Sequence, residues 1–389
     1  MNNQSQSLPE PSQDALQHSQ KLIAHIHEEI DNNDGSITFR RYMEMALYEP
    51  ALGYYVTGTY KIGEQGDFIT APEVSPLFSQ CIAHQCKEVL QETGGSILEL
   101  GAGTGIMASD ILLALEDEDS LPEYYYILDV SPDLKKRQKE TLKNNAPHLF
   151  KHVKWLSQLP DLFKGIILGN EVLDAMPVDV FTQQNDTVFK HHVVWEDGKL
   201  CEQLQTAGDG LRDKVLALNI PHEATPYTSE INPNISGWLE TLANCLEKGV
   251  ILLADYGYQR KEYYFEERNK GTLICHYQHL VNEAPLHYPG LQDITASVDF
   301  TAVAEAADDA GLEVMGFTSQ TNFLTNSGLE ALFMKSLDEN PNEQYKLAQQ
   351  VRTLSLPAEM GERFKFIALG RNYEKPLRGF SILDQRFRL

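Results

Sequence analysis

The 389 residues suffice for one large domain with insertions, or for two domains. With 42% hydrophobic and 23% charged residues the composition is that of a globular protein, and no apolar run approaches the ~20 residues of a membrane-spanning helix. A formal charge of −24 disfavours nonspecific nucleic-acid binding, which needs Lys and Arg to displace counterions, and favours a basic or cationic partner.

Residues 1–20 are polar and carry no Lys or Arg, which fits neither a secretory nor an organelle-targeting leader. A disordered tail and a cytoplasmic, bacterial-type setting are the expectations. Residues 21–34 read as an amphipathic helix with Leu22, Ile23, Ile26 and Ile30 on one face, and residues 37–47 as a second helix capped by Thr38. The following stretch is dense in Tyr and Gly and runs into GDFITAPEVSPLF at 66–78; so many rings imply packing on a core or over a ligand. A helix over 76–93 then leads through Gly94 and Gly95 to ILELGAGTGI at 97–106.

That decapeptide reads as strand, tight turn, helix. Gly101, Gly103 and Gly105 stand where the backbone needs unusual angles and where a ligand approaches it closely. The dinucleotide fingerprint would place a third glycine at position 106, which is Ile, so a dehydrogenase is disfavoured. The G-x-G-x-G spacing instead resembles motif I of S-adenosylmethionine-dependent methyltransferases.

The chain then alternates. A strand over 124–130 contains Asp129, and Ser131 caps a helix reaching Asn145, whose run Lys135, Lys136, Arg137 and Lys139 is its solvated face. Strands follow at 153–156 and 165–168, the second leading into Asn170, Glu171 and Asp174. An insertion with a hairpin at 178–181 and 188–195 breaks the rhythm before a helix over 235–247 and a fifth strand ending at Asp255. After a second insertion come a helix over 299–310 and late strands at 314–318 and 364–369. The expected fold is α/β and Rossmann-like: a seven-stranded, mostly parallel sheet with helices on both faces, an N-terminal helical extension and inserted lid segments. The expected division is a tail over 1–20, a helical and aromatic region over 21–93, a core domain over 94–375 with insertions at 178–248 and 258–298, and a tail over 376–389. In such a sheet the ligand lies outside the carboxyl ends of the strands, where the strand order reverses; this would bring the 101–105 turn beside Asn170 and Glu171.

Asp129 ends its strand where a carboxylate can accept both ribose hydroxyls, and Glu99 either holds water or an ammonium group or orients the turn. Should the acceptor be a guanidinium, two cations must meet, and carboxylates are needed to hold them. Glu171 and Asp174 supply these, with Glu73, Glu230 and Asp255 as further candidates for the acceptor site. The five cysteines and the histidines, including His191 and His192, lack metal-ligand spacing, so no metal is expected.

Several stretches together resemble the MidA family: GDFITAPEVSPLF (66–78), ILELGAGTG (97–105), DVSPDL (129–134), NEVLDAMPV (170–178), DYG (255–257) and HYPGLQDITASVDF (287–300). Mitochondrial members are protein-arginine methyltransferases needed for assembly of respiratory complex I. The resemblance implies S-adenosyl-L-methionine bound through Glu99, Gly101, Ala102, Gly103, Asp129 and Asn170. It implies an acceptor site around Asn170, Glu171 and Asp174, roofed by 66–78 and 287–300. It also implies a protein substrate with an exposed arginine, a complex I subunit in the characterised members. Two rivals stay open: a small-molecule methyltransferase, and a non-catalytic assembly factor that binds the nucleotide.

Overall fold

The structure, a computed structural model, describes residues 8–57, 69–220, 226–339 and 341–389. The 66–68 end of the expected roof segment lies outside them. The chain forms two compact units, each assembled from separated stretches.

The larger unit comprises the described residues of Ile69–Asp174, Asn234–Tyr263 and Ser297–Leu389. Seven of the eight strands of its sheet lie side by side in one path: β1 (Ser96–Leu100), β2 (Tyr125–Leu128), β3 (Val153–Leu156), β4 (Phe163–Asn170), β5 (Leu246–Tyr258), β6 (Glu313–Ser319) and β7 (Phe364–Arg371). Their order is β3-β2-β1-β4-β5-β7-β6; β1 to β5 run parallel, and β7 is antiparallel to both its neighbours. The short strand Val298–Asp299 also pairs with β5. The order reverses between β1 and β4, as expected.

Alternation along β5 distributes the core to both faces. Val250, Leu252 and Ala254 join the cluster that includes Phe78, Cys81 and Val89 of the helix Pro76–Thr93, whereas Ile251 and Leu253 are buried outside that cluster. The helices Ile235–Cys245 and Phe300–Asp309 pack on each other and on β5. Ser131 and Asp299 cap their helices through their side chains, and Gly94 ends Pro76–Thr93 in a left-handed conformation. Between β6 and β7 lie three helices that periodicity left unassigned: Gln320–Asn326, Leu329–Glu339 and Gln344–Ser355. The expected 376–389 tail is docked. Phe380 is buried against Phe323, and Leu383–Arg386 follow β6: the Gln385 N–H donates to the Phe317 carbonyl (2.6 Å), the Phe317 N–H to Asp384 Oδ1 (3.2 Å), and Arg386 to the Val314 carbonyl (2.9 Å).

The smaller unit comprises the described residues of Met1–Phe68, Ala175–Pro233 and Tyr264–Ala296. The expected hairpin is present as Asp179–Gln184 and Thr187–Glu196. It belongs to a five-stranded antiparallel sheet with Ser36–Thr38, Lys199–Thr206 and Tyr227–Ile231. A three-stranded sheet is formed by Ile274–Tyr277, Leu280–Asn282 and Asp293–Thr295. The first helix starts at Gln13, inside the stretch read as a disordered tail, because Ser12 accepts the Ala15 N–H and caps it. Its Leu22, Ile26 and Ile30 are buried with Tyr42, Met43 and Val193. The second helix, Phe39–Tyr48, is capped by Thr38.

Candidate active site

Four acidic residues, Glu99, Asp129, Glu171 and Asp255, lie in or just after β1, β2, β4 and β5. β1 delivers Glu99 and then the turn. Gly101, Gly103 and Gly105 all have positive φ (63°, 50° and 83°). At Gly101 a side chain would be strained by that angle, and its Cβ would come 3.2 Å from Val172 Cγ1. The segment after β4 thus lies against the turn, as the topology required. The buried Ala102 accepts the Gly105 N–H (2.8 Å), closing the turn at the start of the helix Ile106–Asp117.

Glu99 is buried and accepts from the Tyr125 hydroxyl (2.8 Å); among the described residues it has no cationic partner. Burial, aided by the nearby Asp129, pushes its carboxyl up to about 8 against the counteracting Tyr125 bond. A cation arriving beside it would recover the cost of ionising it. Asp129 follows β2. Its Oδ1 accepts the Ser131 N–H (2.8 Å) and its Oδ2 the Gln138 amide (2.8 Å). Burial raises its pKa, and those two donors oppose the rise.

Asn170 and Glu171 end β4. Glu171 takes φ 53°, rare for a side-chain-bearing residue, while its N–H donates to the Ala254 carbonyl (2.9 Å). The Asn170 amide donates to Glu171 Oε1 (3.0 Å), and among the described residues the buried Asn170 Oδ1 has no hydrogen-bond partner. Asp255, wholly buried on β5, accepts the Leu173 (2.9 Å) and Asp174 (3.3 Å) N–H groups through Oδ2 and the Tyr256 N–H (2.9 Å) through Oδ1. Burial first, then Asp174 and Glu171, hold its carboxyl well above the usual range. Asp255 therefore braces the 171–174 turn, and three acidic side chains are concentrated there.

Two candidates have other surroundings. Glu73 accepts the Thr104 hydroxyl, which ties it to the glycine turn. Glu230 lies in the smaller unit, buried, and accepts the Thr272 N–H and hydroxyl and the Leu273 N–H; it clamps its own loop. The structure thus brings together Glu73, Glu99, Gly101, Ala102, Gly103, Asp129, Asn170, Glu171, Asp174 and Asp255 on one unit, and Glu230 on the other. Gln138 and Asp110 escaped sequence reasoning. Asp110 is an acid in the otherwise apolar helix IMASDILLALED, pushed up to about 7 by burial and by Glu73. That contrast was its only sequence signal. Gln138 sits unremarked in a basic helix. No group of His, Cys, Asp and Glu suited to a metal occurs among the described residues, and no described helix is long and apolar enough to cross a membrane.

Residues 81–318, more than half the chain, match the family model described as "Putative S-adenosyl-L-methionine-dependent methyltransferase". The chain belongs to this family, the MidA family. It is an S-adenosylmethionine-dependent methyltransferase. A protein from Burkholderia thailandensis solved bound to S-adenosyl-homocysteine is 38% identical, with a TM-score of 0.94 over 98% of this chain and 100% of its own. The human mitochondrial protein arginine methyltransferase NDUFAF7 is 29% identical, matching 90% of this chain and 83% of its own length. The Drosophila melanogaster homolog is 30% identical over 86% and 82%.

The residues present fit the cofactor. The turn takes a backbone angle at Gly101 that disfavours a side chain, and among the described residues a buried carboxyl lacks a cation at Glu99 and a buried amide oxygen lacks a donor at Asn170. The methyltransferase's cofactor supplies an electrophilic methyl on a sulfonium cation. What the chain contributes is orientation and charge.

Proposed function

We propose that the methyltransferase transfers its methyl group to an arginine side chain of a protein. The observation that carries this reading is the strained Glu171 beside Asp174, on a turn braced by Asp255. Two carboxylates can grip a planar guanidinium by charge-assisted hydrogen bonds and offset the repulsion between two cations. In this reading Glu99, Gly101, Ala102, Gly103, Asp129 and Asn170 hold the cofactor. Glu171 and Asp174 orient the guanidinium, and a carboxylate or water takes the proton shed by the methylated nitrogen. Glu73 supports the turn through Thr104, and Asp255 acts through the backbone it holds. The names of the animal relatives, protein arginine methyltransferases, support the same acceptor, and the MidA resemblance makes a respiratory complex I subunit the partner class to test first.

The test is radiolabelled methyl transfer from S-adenosylmethionine into a cell extract, followed by acid hydrolysis of the protein fraction. Label in methylarginine, lost with Glu171→Gln, is the expected result. Label confined to small molecules, or to another amino acid, would overturn it.

A further inference from the structure

We propose that Gln138 is a positioning residue that locks the Asp129 carboxylate to the glycine turn, with Trp155 setting the direction of its amide. The proposal rests on the reading of Asp129 and the turn as the cofactor cradle. Gln138 is fully buried on the inner face of the helix Pro132–Asn145. Its Nε2 donates to Asp129 Oδ2 (2.8 Å) and to the Gly103 carbonyl (3.1 Å), and its Oε1 accepts from Trp155 Nε1 (3.0 Å).

The orientation of the amide is chemically determined. An indole N–H can only donate, so the amide oxygen must face Trp155. Asp129 and Gly103 present only acceptors, so they must face the nitrogen. Each donor on that nitrogen is then used on a different part of the cradle, one at the end of β2 and one in the turn after β1. The close approach depends on Gly105, where a Cβ would sit 2.9 Å from Gln138 Cα. The last glycine of the motif thus admits a second helix to the turn. No ligand is needed to explain it.

The charged groups facing Asp129 are Glu99 and Lys135, and its further donors are the Ser131 and Val130 N–H groups. Removing the Gln138 donor leaves all of these in place and makes Asp129 harder to ionise. Calorimetric titration of the full chain with S-adenosylmethionine from pH 5.5 to 9 separates the possibilities, each variant being checked by thermal melting. Gln138→Met is expected to weaken binding about tenfold at neutral pH, with the acid limb of the profile moved to higher pH. Gln138→Glu is expected to lose affinity increasingly as pH rises, because its carboxylate ionises against Asp129. Trp155→Phe, which frees the amide to turn, should follow Gln138→Met with a smaller loss. A Gln138→Met loss that is absent or independent of pH overturns the proposal. Should that variant not fold, a pH-independent loss in Gln138→Glu does so. Asp129→Asn separates the two readings. If it binds as the parent does, the cradle itself is misassigned; if it fails while the Gln138 variants bind normally, only the role of Gln138 falls.

Discussion

Glu230 in the smaller unit and Glu99 in the larger are both buried carboxylates on sheet strands, yet their surroundings are opposite. Glu230 collects the Thr272 N–H and hydroxyl and the Leu273 N–H, all from one loop. Among the described residues Glu99 receives a single side-chain hydroxyl, from Tyr125, and burial drives it toward neutrality. A carboxylate supplied with local donors holds a fold together; one left short of them is poised for a charged visitor. The smaller unit uses Glu230 on its own loop, whereas the larger leaves Glu99 short of donors on β1, even as Asp129 and Asp255 nearby are supplied with them.

The contrast is broken most severely at the turn. Gly101→Val forces a β-branched side chain into φ 63° and against Val172, and calorimetry should show S-adenosylmethionine affinity falling by more than about 100-fold. Next in size, Glu171→Gln should lower the methyl-transfer rate by about 100-fold while leaving cofactor affinity within about twofold; equal losses in both would place Glu171 in cofactor binding instead. In the smaller unit, Glu230→Gln should cost about 2 kcal/mol in denaturant unfolding, by weakening charge-assisted bonds to its loop, with cofactor affinity unchanged.

Glu99 sharpens the comparison through pH. Its carboxyl is raised from the ordinary 4.5 to about 8, so the folded chain favours the neutral acid. Its contribution to stability is fully present below pH 4.5 and is lost as pH rises through about 8. Scanning calorimetry without cofactor should show that decline, and Glu99→Gln should flatten it. The smallest effect is Ser12→Ala, which removes a cap from the first helix of the smaller unit; about 1 kcal/mol of stability is at stake, seen as early fraying in hydrogen exchange.

The larger unit was the more legible because its elements announce themselves locally. A strand, three glycines and an apolar helix define β1 and its turn, and Ser131 marks the helix after β2 at its cap. The carboxylates at strand ends followed from chain order alone. The smaller unit was harder to read because its sheet joins residues far apart: Ser36–Thr38 pairs with His192, Val193 and Val194 in the second half of Thr187–Glu196, and nothing in either sequence names the other. The strand Lys199–Thr206 was overlooked because five of its eight residues are exposed, so it carries little apolar alternation. Gln138 was hidden for a related reason. A single polar residue on the inner face of a helix crowded with lysines has no periodic signature, and only its three partners give it meaning.

The stretch Leu383–Arg386, laid along β6, bears on how the protein behaves in solution. β6 is the last strand of the sheet, and a bare edge strand invites pairing with another molecule. Here the Phe317 N–H and carbonyl and the Val314 carbonyl are already engaged by Asp384, Gln385 and Arg386. These few residues occupy that edge, so a second strand would have to displace them before it could pair there.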